Sequence, residues 1–430
     1  MRGIEAAMHI YSKCRSGAVV SETLRALGNA LAPADRTLAA TLCYAVERRL
    51  SLWERLRAMY MQPAPEKFSQ AAQDAVLVGA AGLMSLKKFA PPVLISSLID
   101  WTKKYDYRGS RVVNAVLRRV LEQAPDEIER LKRSKRLDAL CLTSGFPYWA
   151  AVSLCERYGE ERGRSLVSLT SGSAAMSLRL SPDAPRTLLD EMAKAGVTAH
   201  ESPLPECLRL EGTHLPTALP GYAKGLITPQ TESSVSVGNE AADFDGKLLL
   251  DMCAGRGVKT GQIAQLRPDI NIEAWDLSPA RVAAAEREMS RLGVQNAAFR
   301  AGDALTLAPL EAPDAVLVDA PCSGSGTWRR HPEGKWRPQD ALAPMTELQK
   351  NLLSRALSLV KRGGKVVYST CSLFPEENED VVSSVLADFP RVEEISPGET
   401  AGFTPLAHGY ASSPDSPWTD GFYIAVFVKG

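Results

Sequence analysis

Apolar residues in the first 140 positions recur at three- and four-residue spacing, within proline-free stretches such as ADRTLAATLCYAVERRLSLWERLRAMY. This period is typical of amphipathic helices. Because proline disrupts a helix interior, Pro63 with Pro65 and Pro91 with Pro92 are expected to separate neighbouring helices. The pattern therefore predicts an all-helical domain over residues 1–140.

The sequence pattern changes between residues 141 and 235, where short segments of alternating apolar and polar residues are separated by proline and glycine. The pieces AMSLRLSP, GVTAHESP and CLRLEGT are typical of short strands, and the stretch before them is typical of one or two helices. We predict a small α/β module here. Its composition alone does not indicate a function.

Residues 236–430 alternate apolar runs with amphipathic segments. Strands are predicted at KLLLDMC, INIEAWDL, AAFRAGDA, PDAVLVDAP, GKVVYSTC and DGFYIAVFVKG, with helices between most of them. This alternation favours a doubly wound, mostly parallel α/β sheet. Ligands of such sheets bind outside the carboxyl ends of the strands, so the informative residues are expected there.

The composition is that of an ordinary globular protein, with 45% hydrophobic and 23% charged residues over 430 positions. No apolar run approaches the roughly 20 residues that span a bilayer, and the N-terminus lacks an apolar signal core, so we expect a soluble, cytoplasmic protein. The eight cysteines form no CxxC pair and do not cluster with the five histidines. We therefore expect free thiols, no metal and, by default, a monomer.

Charge is distributed unevenly along the chain, although the formal net charge is zero. Residues 1–140 carry 23 Lys and Arg against 14 Asp and Glu, whereas residues 141–430 carry 27 against 36. A basic first third suggests a polyanionic partner. A helical domain with solvated basic faces explains the same charge equally well, so charge leaves both possibilities open.

Acidic residues and glycines follow the first three predicted strands of the last segment. Asp251 ends the first strand, Gly255 and Gly257 form a tight turn before a helix, and Asp276 ends the second strand. Glycine permits close approach of a ligand, a helix N-terminus offers free N–H groups, and an acid after the second strand commonly accepts hydrogen bonds from a ribose. Asp303 ends the third strand, where a carboxylate suits an adenine amino group. Each Asp alone is typical of a cap or turn, but three in register favour a nucleoside ligand.

Two cysteines follow later strands of the same segment. Cys322 lies just beyond the strand in DAVLVDAPC, three residues after Asp319, and Cys371 ends GKVVYSTC. A thiolate is a strong nucleophile whose reactivity depends on its pKa. Because strand-end loops are poor places to bury an idle thiol, a packed cysteine is the weaker explanation for either residue. The pair is the strongest indication of catalysis in the sequence.

These residues resemble the RNA cytosine-C5 methyltransferases of the Sun/NOL/NOP type, which use S-adenosylmethionine. The matching blocks follow the family's order: LLLDMCAGRGVKT, AWDLSPARV, AGDA, DAVLVDAPCSGSGTWRRHPEGKWR, VVYSTCSLFPEENED and TDGFYIAVFVKG. KGLITPQTESS resembles the block before the family's catalytic domain. Residues 1–140, with VVNAVLRR, resemble the NusB-like helical domain of the bacterial subgroup that acts on small-subunit ribosomal RNA. The resemblance implies a NusB-like RNA-binding domain over 1–140, a small α/β linker module over 141–235 and a Rossmann-like catalytic domain over 236–430.

The resemblance also implies a role for each matching residue. Cys371 is expected to be the nucleophile, Cys322 to assist product release, and Asp319 to act on ring N3 of the target cytosine. The cofactor S-adenosylmethionine is expected to lie against Cys253, Ala254, Gly255, Arg256, Gly257, Val258 and Lys259, with Asp276 on its ribose, Asp303 on its adenine and Asp319 near its amino group.

The basic run after the Cys322 loop suits contact with RNA phosphates and stacking on a base. RNA contacts are expected from Arg329, Arg330, Lys335 and Arg337, with His331 and Trp336 beside them. A solvated surface loop is the alternative explanation for these residues. The basic helical domain is the second candidate for RNA binding.

Two segments depart from the family pattern. The family's loop D-x-C-A-A-P-G-G-K-T here has Gly255, Arg256 and Val258 in place of its second Ala, its Pro and its second Gly. Because valine does not readily adopt a positive φ, either the turn differs locally or the position tolerates a side chain. Gln230-Thr231 stands where the family has Gln-Asp. These changes bear on cofactor affinity and leave both thiols and the strand-end acids intact.

The leading interpretation is methylation of C5 of a cytosine in 16S ribosomal RNA, free or in an early particle. The same chemistry on transfer RNA or 23S ribosomal RNA is the nearest alternative, and the NusB-like domain favours the small subunit. A non-catalytic RNA-binding ribosome-assembly factor would explain the altered loop but not the two thiols with Asp319. A small-molecule or protein methyltransferase would not need two strand-end thiols.

Overall fold

The computed structural model describes residues 2–27, 30–86, 89–212, 214–398 and 402–430. By its internal contacts the chain forms two compact units, residues 1–171 with 331–337 and residues 172–330 with 338–430. The boundary expected at residue 140 therefore falls at Ser171, because the helices that follow residue 136 pack on the helical unit. The small α/β module is likewise not separate but belongs to the second unit.

The first unit is helical, as predicted. Its core contains Leu42, Trp53, Val76 and Leu117, all fully buried. Prolines separate helices where the sequence predicted them, since Pro63 and Pro65 lie between α4 and α5 and Pro91 begins α6, where its missing N–H costs no hydrogen bond. The helices are α1 (Arg2–Cys14), α2 (Val20–Ala26), α3 (Pro33–Arg48), α4 (Leu50–Tyr60), α5 (Gln70–Ser85), α6 (Pro91–Lys103), α7 (Tyr107–Lys132), α8 (Leu137–Ser144), α9 (Tyr148–Tyr158) and α10 (Glu160–Leu169).

The second unit begins with a small antiparallel sheet in the strand order β2-β3-β1-β4. The predicted strand pieces of this region are confirmed. Helix α12 packs on α13 and on the large sheet, which makes the small sheet part of the same unit. The elements are β1 (Met176–Leu180), α11 (Leu188–Lys194), β2 (Ala199–Glu201), β3 (Cys207–Leu210), β4 (Ile227–Pro229) and α12 (Glu232–Ala242).

The large sheet has the strand order β11-β12-β13-β9-β8-β5-β6-β7, with β10 paired to β13. Strands β7, β6, β5, β8 and β9 are parallel, and the strands beyond β9 are antiparallel, so the predicted doubly wound sheet is confirmed with an antiparallel edge. The elements are β5 (Leu248–Asp251), α13 (Val258–Leu266), β6 (Asn271–Asp276), α14 (Pro279–Leu292), β7 (Ala297–Ala301), β8 (Ala315–Asp319), α15 (Leu342–Leu359), β9 (Lys365–Thr370), α16 (Glu379–Leu386), β10 (Val392–Ile395), β11 (Phe403–Pro405), β12 (Tyr410–Ser412) and β13 (Phe422–Lys429).

The strand order reverses at β5, because β6 lies on one side of it and β8 on the other. Such a switch point opens a crevice at the carboxyl ends of the strands, where open α/β sheets bind their ligands. Within the described ranges no helix is both long enough and apolar enough to cross a membrane.

Two glycines allow the loop after β8 to approach the start of β13. The backbone N–H of Gly421 donates to the carbonyl oxygen of Gly326 at 3.0 Å. A Cβ atom built on Gly326 would collide with the carbonyl oxygen and carbon of Gly421, which are backbone atoms with little freedom to move. This contact ties the loop that carries Cys322 to the antiparallel edge of the sheet.

We expect Gly326→Ala to lower the free energy of unfolding by about 3 kcal/mol, because the added methyl group forces two backbone segments apart. Gly363→Ala is the matched control. It meets no atom within 4 Å but has a φ of +76°, so we expect a loss of about 1 kcal/mol. Urea denaturation of the two variants measures the difference, and equal losses would contradict the predicted contact.

Candidate active site

The parallel strands bring the predicted site residues to one edge of the large sheet. Asp251, Asp276 and Asp319 are the last residues of β5, β6 and β8, and Cys371 follows the last residue of β9. Strand β5 pairs with both β6 and β8, and β8 pairs with β9. Neighbouring parallel strands end at the same edge, so the four residues lie along a continuous row.

The loop between β5 and α13 places its two positive φ angles on glycine. Gly255 has a φ of +59° and Gly257 a φ of +77°, whereas Val258 is the first residue of α13. Val258 therefore needs no left-handed conformation, which explains how the chain accommodates valine at this position. Gly257 is also crowded, because a Cβ on it would lie 3.0 Å from Met289 Cε and 3.1 Å from Ala285 Cβ.

Asp251, the last residue of β5, binds this loop through its carboxylate. Its carboxylate is 1% exposed and accepts hydrogen bonds from the Thr260 hydroxyl at 2.7 Å and from the Cys253 N–H at 3.3 Å. Burial, together with the nearby charge of Asp319, raises the pKa of Asp251 to about 7. The side chain connects the strand, the loop and the helix, and it does not face solvent.

Asp276 and Asp303 keep acceptor capacity for a ligand. Asp276 Oδ2 accepts the Gly255 N–H at 3.0 Å and Oδ1 accepts the Ser278 N–H at 2.8 Å. Asp303 is exposed, and its Oδ1 accepts the Leu305 N–H at 2.9 Å. Each carboxylate oxygen offers about two acceptor positions, so the residues fit a ligand with hydroxyl and amino donors, such as a ribose and an adenine.

Lys259 and Asp319 form an ion pair at the centre of the site. Lys259 Nζ donates to Asp319 Oδ2 at 2.7 Å, and the Ser369 hydroxyl donates to Asp319 Oδ1 at 2.9 Å. Lys259 is nearly buried, with its ammonium 5.1 Å from the centre of the Phe422 ring, while the Asp319 side chain is 31% exposed. The two partners hold the carboxylate in a fixed orientation and leave part of it accessible from the crevice.

The two strand-end thiols are in direct contact. Cys322 Sγ lies 3.4 Å from Cys371 Sγ, within the range of an S–H···S hydrogen bond, and both residues are half-buried. The hydrogen bond to Cys371, burial, the charge of Cys371 and the charge of Glu377, in decreasing order, raise the pKa of the Cys322 thiol. The sequence predicted that both thiols reach this edge of the sheet, and the structure brings them together.

A network of hydroxyl groups holds the two cysteine loops together, and the sequence analysis did not find it. The hydroxyl groups of Ser323 and Ser325 lie 3.3 Å and 3.2 Å from that of Ser372. The Ser323 N–H and hydroxyl donate to Glu377 at 2.7 Å and 2.5 Å. The repeated Cys-Ser dipeptides were an available signal, whereas Glu377 lies in an acidic run typical of a solvated turn.

The predicted RNA-binding arginines Arg329 and Arg330 are engaged within the second unit. Arg329 is 4% exposed and donates to the carbonyl oxygens of Ser416 and Pro414. Arg330 forms an ion pair with Asp420 at 2.9 Å. Arg329 is therefore not presented to solvent as a phosphate contact would require, which corrects the expectation from its position after the Cys322 loop.

Lys335 is a second correction, because it is 1% exposed and packs within the first unit. Burial, together with the charges of Arg48 and Arg49, lowers its pKa to about 7. Trp336 is fixed by a hydrogen bond from its Nε1 to the Glu47 carbonyl oxygen at 2.7 Å. Of the four predicted RNA-binding cations, Arg337 is exposed.

The part of the chain that the structure describes contains no group of three His, Cys, Asp or Glu side chains arranged to hold a metal ion. All eight cysteines are free thiols. The acidic residues of the site instead bind backbone N–H groups, hydroxyl groups or the cations Lys259 and Arg281.

Comparison with protein families gives matches to both ends of the chain. Residues 242–428 match the family described as 16S rRNA methyltransferase RsmB/F, and residues 5–122 match the NusB family. Ribosomal RNA small subunit methyltransferase B of Escherichia coli strain 536 is 29% identical over 436 residues, covering 99% of this chain and 97% of that protein. The protein of the same name from Klebsiella pneumoniae is 28% identical with the same coverage.

Solved structures are similar as well. A methyltransferase homologue from Pyrococcus horikoshii is 30% identical with a TM-score of 0.61, and the match covers 69% of this chain and all of that chain. The structure of PH0851 has a TM-score of 0.85 at 21% identity and covers all of this chain and 98% of that one. The match to PH0851 shows a shared fold.

We expect Asp251→Asn to stabilise the protein more at pH 8 than at pH 5, by a difference of roughly 2 kcal/mol. The pKa of Asp251 in the folded chain is about 7, whereas the unfolded carboxyl titrates near its ordinary value of about 3.9. The cost of the buried carboxylate therefore grows as pH rises from about 4 to 7 and is constant above that range. The isosteric amide removes this cost. Urea denaturation at both pH values, with the exposed Asp303→Asn as control, measures the difference, and an equal gain at pH 5 and pH 8 would contradict the raised pKa.

Proposed function

Since the chain belongs to the RsmB/F family of methyltransferases and carries a NusB-family domain, we propose that it methylates carbon 5 of a cytosine in 16S ribosomal RNA. S-adenosylmethionine is the cofactor of this family member. The observation that carries the proposal is the pair of thiols 3.4 Å apart beside the Lys259–Asp319 ion pair. Relatives named ribosomal RNA small subunit methyltransferase B, which match nearly the full chain, support the choice of RNA.

The glycine loop and the strand-end acids are suited to hold the cofactor. Backbone N–H groups at the start of α13 and residues Cys253 to Lys259 suit its methionine part, as helix N-termini suit polar and anionic groups. Asp276 suits the ribose hydroxyls and Asp303 the adenine amino group. When bound, S-adenosylmethionine supplies an electrophilic methyl group on a sulphonium for carbon 5 of the cytosine.

Cysteine chemistry explains how cytosine becomes reactive at carbon 5. The aromatic ring makes carbon 5 a poor nucleophile, so we propose that the Cys371 thiolate adds to carbon 6. The new S–C6 bond breaks the C5=C6 double bond, and its electron pair becomes available at carbon 5. The target base must leave its stack to reach the crevice.

Asp319 and Cys322 have separate parts in the proposed reaction. Lys259 and Ser369 hold the Asp319 carboxylate, which suits a hydrogen bond to ring N3 that stabilises the adduct. After methylation the C5 proton must leave to a base, Cys322 or a water molecule, so that the C5=C6 bond re-forms and Cys371 departs. The position of Cys322 against Cys371 suits a role in this release.

Helix α7 supplies the basic surface that we propose for RNA. Arg108, Arg111, Arg118 and Arg119 are exposed and recur on one face of the helix. Within the described residues none of the four pairs with a carboxylate at ion-pair distance. Such a row suits the phosphates of an RNA helix or loop. With Arg329 and Lys335 buried, it is the stronger candidate for the first contact with RNA.

Transfer RNA and 23S ribosomal RNA remain as alternative substrates for the same chemistry, and the NusB-family domain favours the small subunit. A non-catalytic assembly factor is the alternative of another class. The intact contacts among Cys322, Cys371, Lys259 and Asp319 argue against it, because a factor without catalysis has no need of them.

Methyl transfer from radiolabelled S-adenosylmethionine to unmodified small-subunit ribosomal RNA tests the proposal. We expect wild type to label a cytosine and Cys371→Ala to lose activity by at least about 10³-fold. Cys322→Ala is expected to accumulate a covalent RNA–protein adduct that survives a denaturing gel. Cys155→Ala, a part-exposed cysteine of α9 in the first unit, is the matched control and should behave like wild type. A wild-type protein that binds the RNA and transfers nothing would favour the assembly factor.

Replacing Arg108, Arg111, Arg118 and Arg119 with Gln tests the RNA surface. We expect weaker RNA binding and a smaller salt dependence, with the slope of log K against log salt reduced by roughly one for each phosphate group that the variant no longer binds. Filter binding over a series of salt concentrations measures the slope. Arg130→Gln is the control on the same helix, since its guanidinium already binds Glu127 at 2.8 Å. An unchanged slope in the fourfold variant would exclude this face as the RNA surface.

A further inference from the structure

Glu377 is a fully buried carboxylate that is held by neutral donors. It follows β9 in a short turn and is 0% exposed. Oε1 accepts the Ser323 N–H at 2.7 Å and the Gln349 side-chain N–H at 3.1 Å, and Oε2 accepts the Ser323 hydroxyl at 2.5 Å. Within the described residues it makes no ion pair. Its charge is therefore stabilised by neutral groups, and two of the three donors belong to the residue after Cys322.

These hydrogen bonds fix the loop that carries Cys322. Gln349 also donates to the Pro321 carbonyl oxygen at 2.8 Å, so Glu377 and Gln349 together hold the residues on both sides of Cys322. The Cys371 loop is held to this loop directly, because the N–H of Gly326, which follows Cys322 in the same loop, donates to the Cys371 carbonyl oxygen at 2.9 Å. The 3.4 Å contact between the two sulphur atoms is thus maintained by the hydrogen bonds of Glu377 and Gln349 to the Cys322 loop and by the hydrogen bonds between the two loops.

When one of two hydrogen-bonded thiols is ionised, the neutral thiol is the donor and the thiolate is the acceptor. The hydrogen bond to Cys371, burial and the charge of Cys371 raise the pKa of the Cys322 thiol, and the charge of Glu377 adds to the rise because it disfavours a second negative charge beside it. Asp319 is paired with Lys259, so its charge is largely compensated. Other ionisable side chains on the elements that carry or flank the thiols are Asp251 on β5 and Cys253 after it, Lys365 and Tyr368 on β9, Glu379 and Asp380 on α16, and Tyr423 and Lys429 on β13.

We propose that Glu377 is a positioning residue that holds Cys322 against Cys371 and keeps the shared proton on Cys322. Cys371 is then the thiolate and Cys322 its hydrogen-bond donor. This inference rests on the proposed function for the meaning of a Cys371 thiolate, but the arrangement of the two thiols exists without substrate.

The arrangement has a consequence for the release step. As the C5–H bond breaks, its proton passes to water and its electron pair forms the C5=C6 double bond. The C6–Sγ bond breaks at the same time, and its electron pair returns to Cys371 as a thiolate. The Cys322 S–H stabilises that departing thiolate by donating a hydrogen bond. Cys322 therefore assists release as a donor, and water rather than Cys322 is the base.

Glu377→Gln removes the charge and preserves the shape. The amide oxygen still accepts the N–H groups of Ser323 and Gln349, and the new amide N–H group donates to the Ser323 hydroxyl, which turns toward Ser325 or Ser372. Glu376→Gln is the matched control, because Glu376 is the neighbouring glutamate and is exposed. The pair of variants separates the buried charge from the general acidity of the turn.

Alkylation with iodoacetamide over a range of pH, followed by peptide mass spectrometry, measures the pH dependence of the reaction of each thiol. The experiment uses the full-length protein without RNA. The midpoints belong to the coupled pair, but the labelled peptide shows which sulphur ionises first. In wild type we expect Cys371 to react at a lower pH than Cys322. In Glu377→Gln we expect the Cys322 midpoint to fall by about one pH unit, which is about a tenfold faster alkylation of Cys322 below its midpoint. Glu376→Gln should leave both midpoints in place.

The proposal is overturned if Cys322 ionises before Cys371 in wild type, or if a folded Glu377→Gln protein keeps the wild-type midpoints. If Glu377→Gln does not fold, ionisation of Cys322 before Cys371 in wild type still overturns the proposal. Because alkylation needs neither RNA nor methyl transfer, a failure of the proposed function leaves this result unchanged. A purely structural role for Glu377 would change the thermal stability but not the order of ionisation.

Discussion

The site depends on the register of the parallel pairing among β5, β8 and β9. Asp251 lies opposite Leu317, and Asp319 lies opposite Ser369, two positions before Cys371. Successive side chains of a strand point to opposite faces, so a shift of one residue would turn these groups away from the crevice. The apolar residues of these strands are buried on both faces, which fixes the register by the burial of residues such as Leu250, Val316 and Val367.

In this site, polar groups are buried, and hydrogen bonds to them offset the free-energy cost of removing them from water. Asp251, Glu377 and Lys259 are almost removed from water, and each is held by hydroxyl, amide or carboxylate partners. An incompletely bonded network of this kind would destabilise the unit more than an apolar core of the same volume. The buried network therefore fixes the geometry of the site.

Much of this arrangement could be predicted from local sequence, because its determinants are local. Hydrophobic period indicated the helical unit and the alternating strands, and the position of Asp276 or Cys371 after a strand placed it at the ligand-binding edge. Contacts between distant segments left no such signal. Arg329 is buried by carbonyl groups 85 and 87 residues further along the chain, and nothing around it in the sequence distinguishes it from an exposed arginine. Lys335 and Glu377 were hidden for the same reason, since their surroundings come from elsewhere in the fold.

Cys322 and Cys371 have similar positions in the sheet but different chemical surroundings. The sheet positions Cys322 and Cys371 almost equivalently, each just beyond an apolar parallel strand and followed by serine. Placement alone would make either thiol a nucleophile. The difference arises from what each loop contacts, because a buried carboxylate held by neutral donors binds the residue after Cys322. A thiol beside such a charge is a poor nucleophile and a good hydrogen-bond donor, so in the reaction proposed above the buried carboxylate of Glu377 accounts for the different parts of two similar loops.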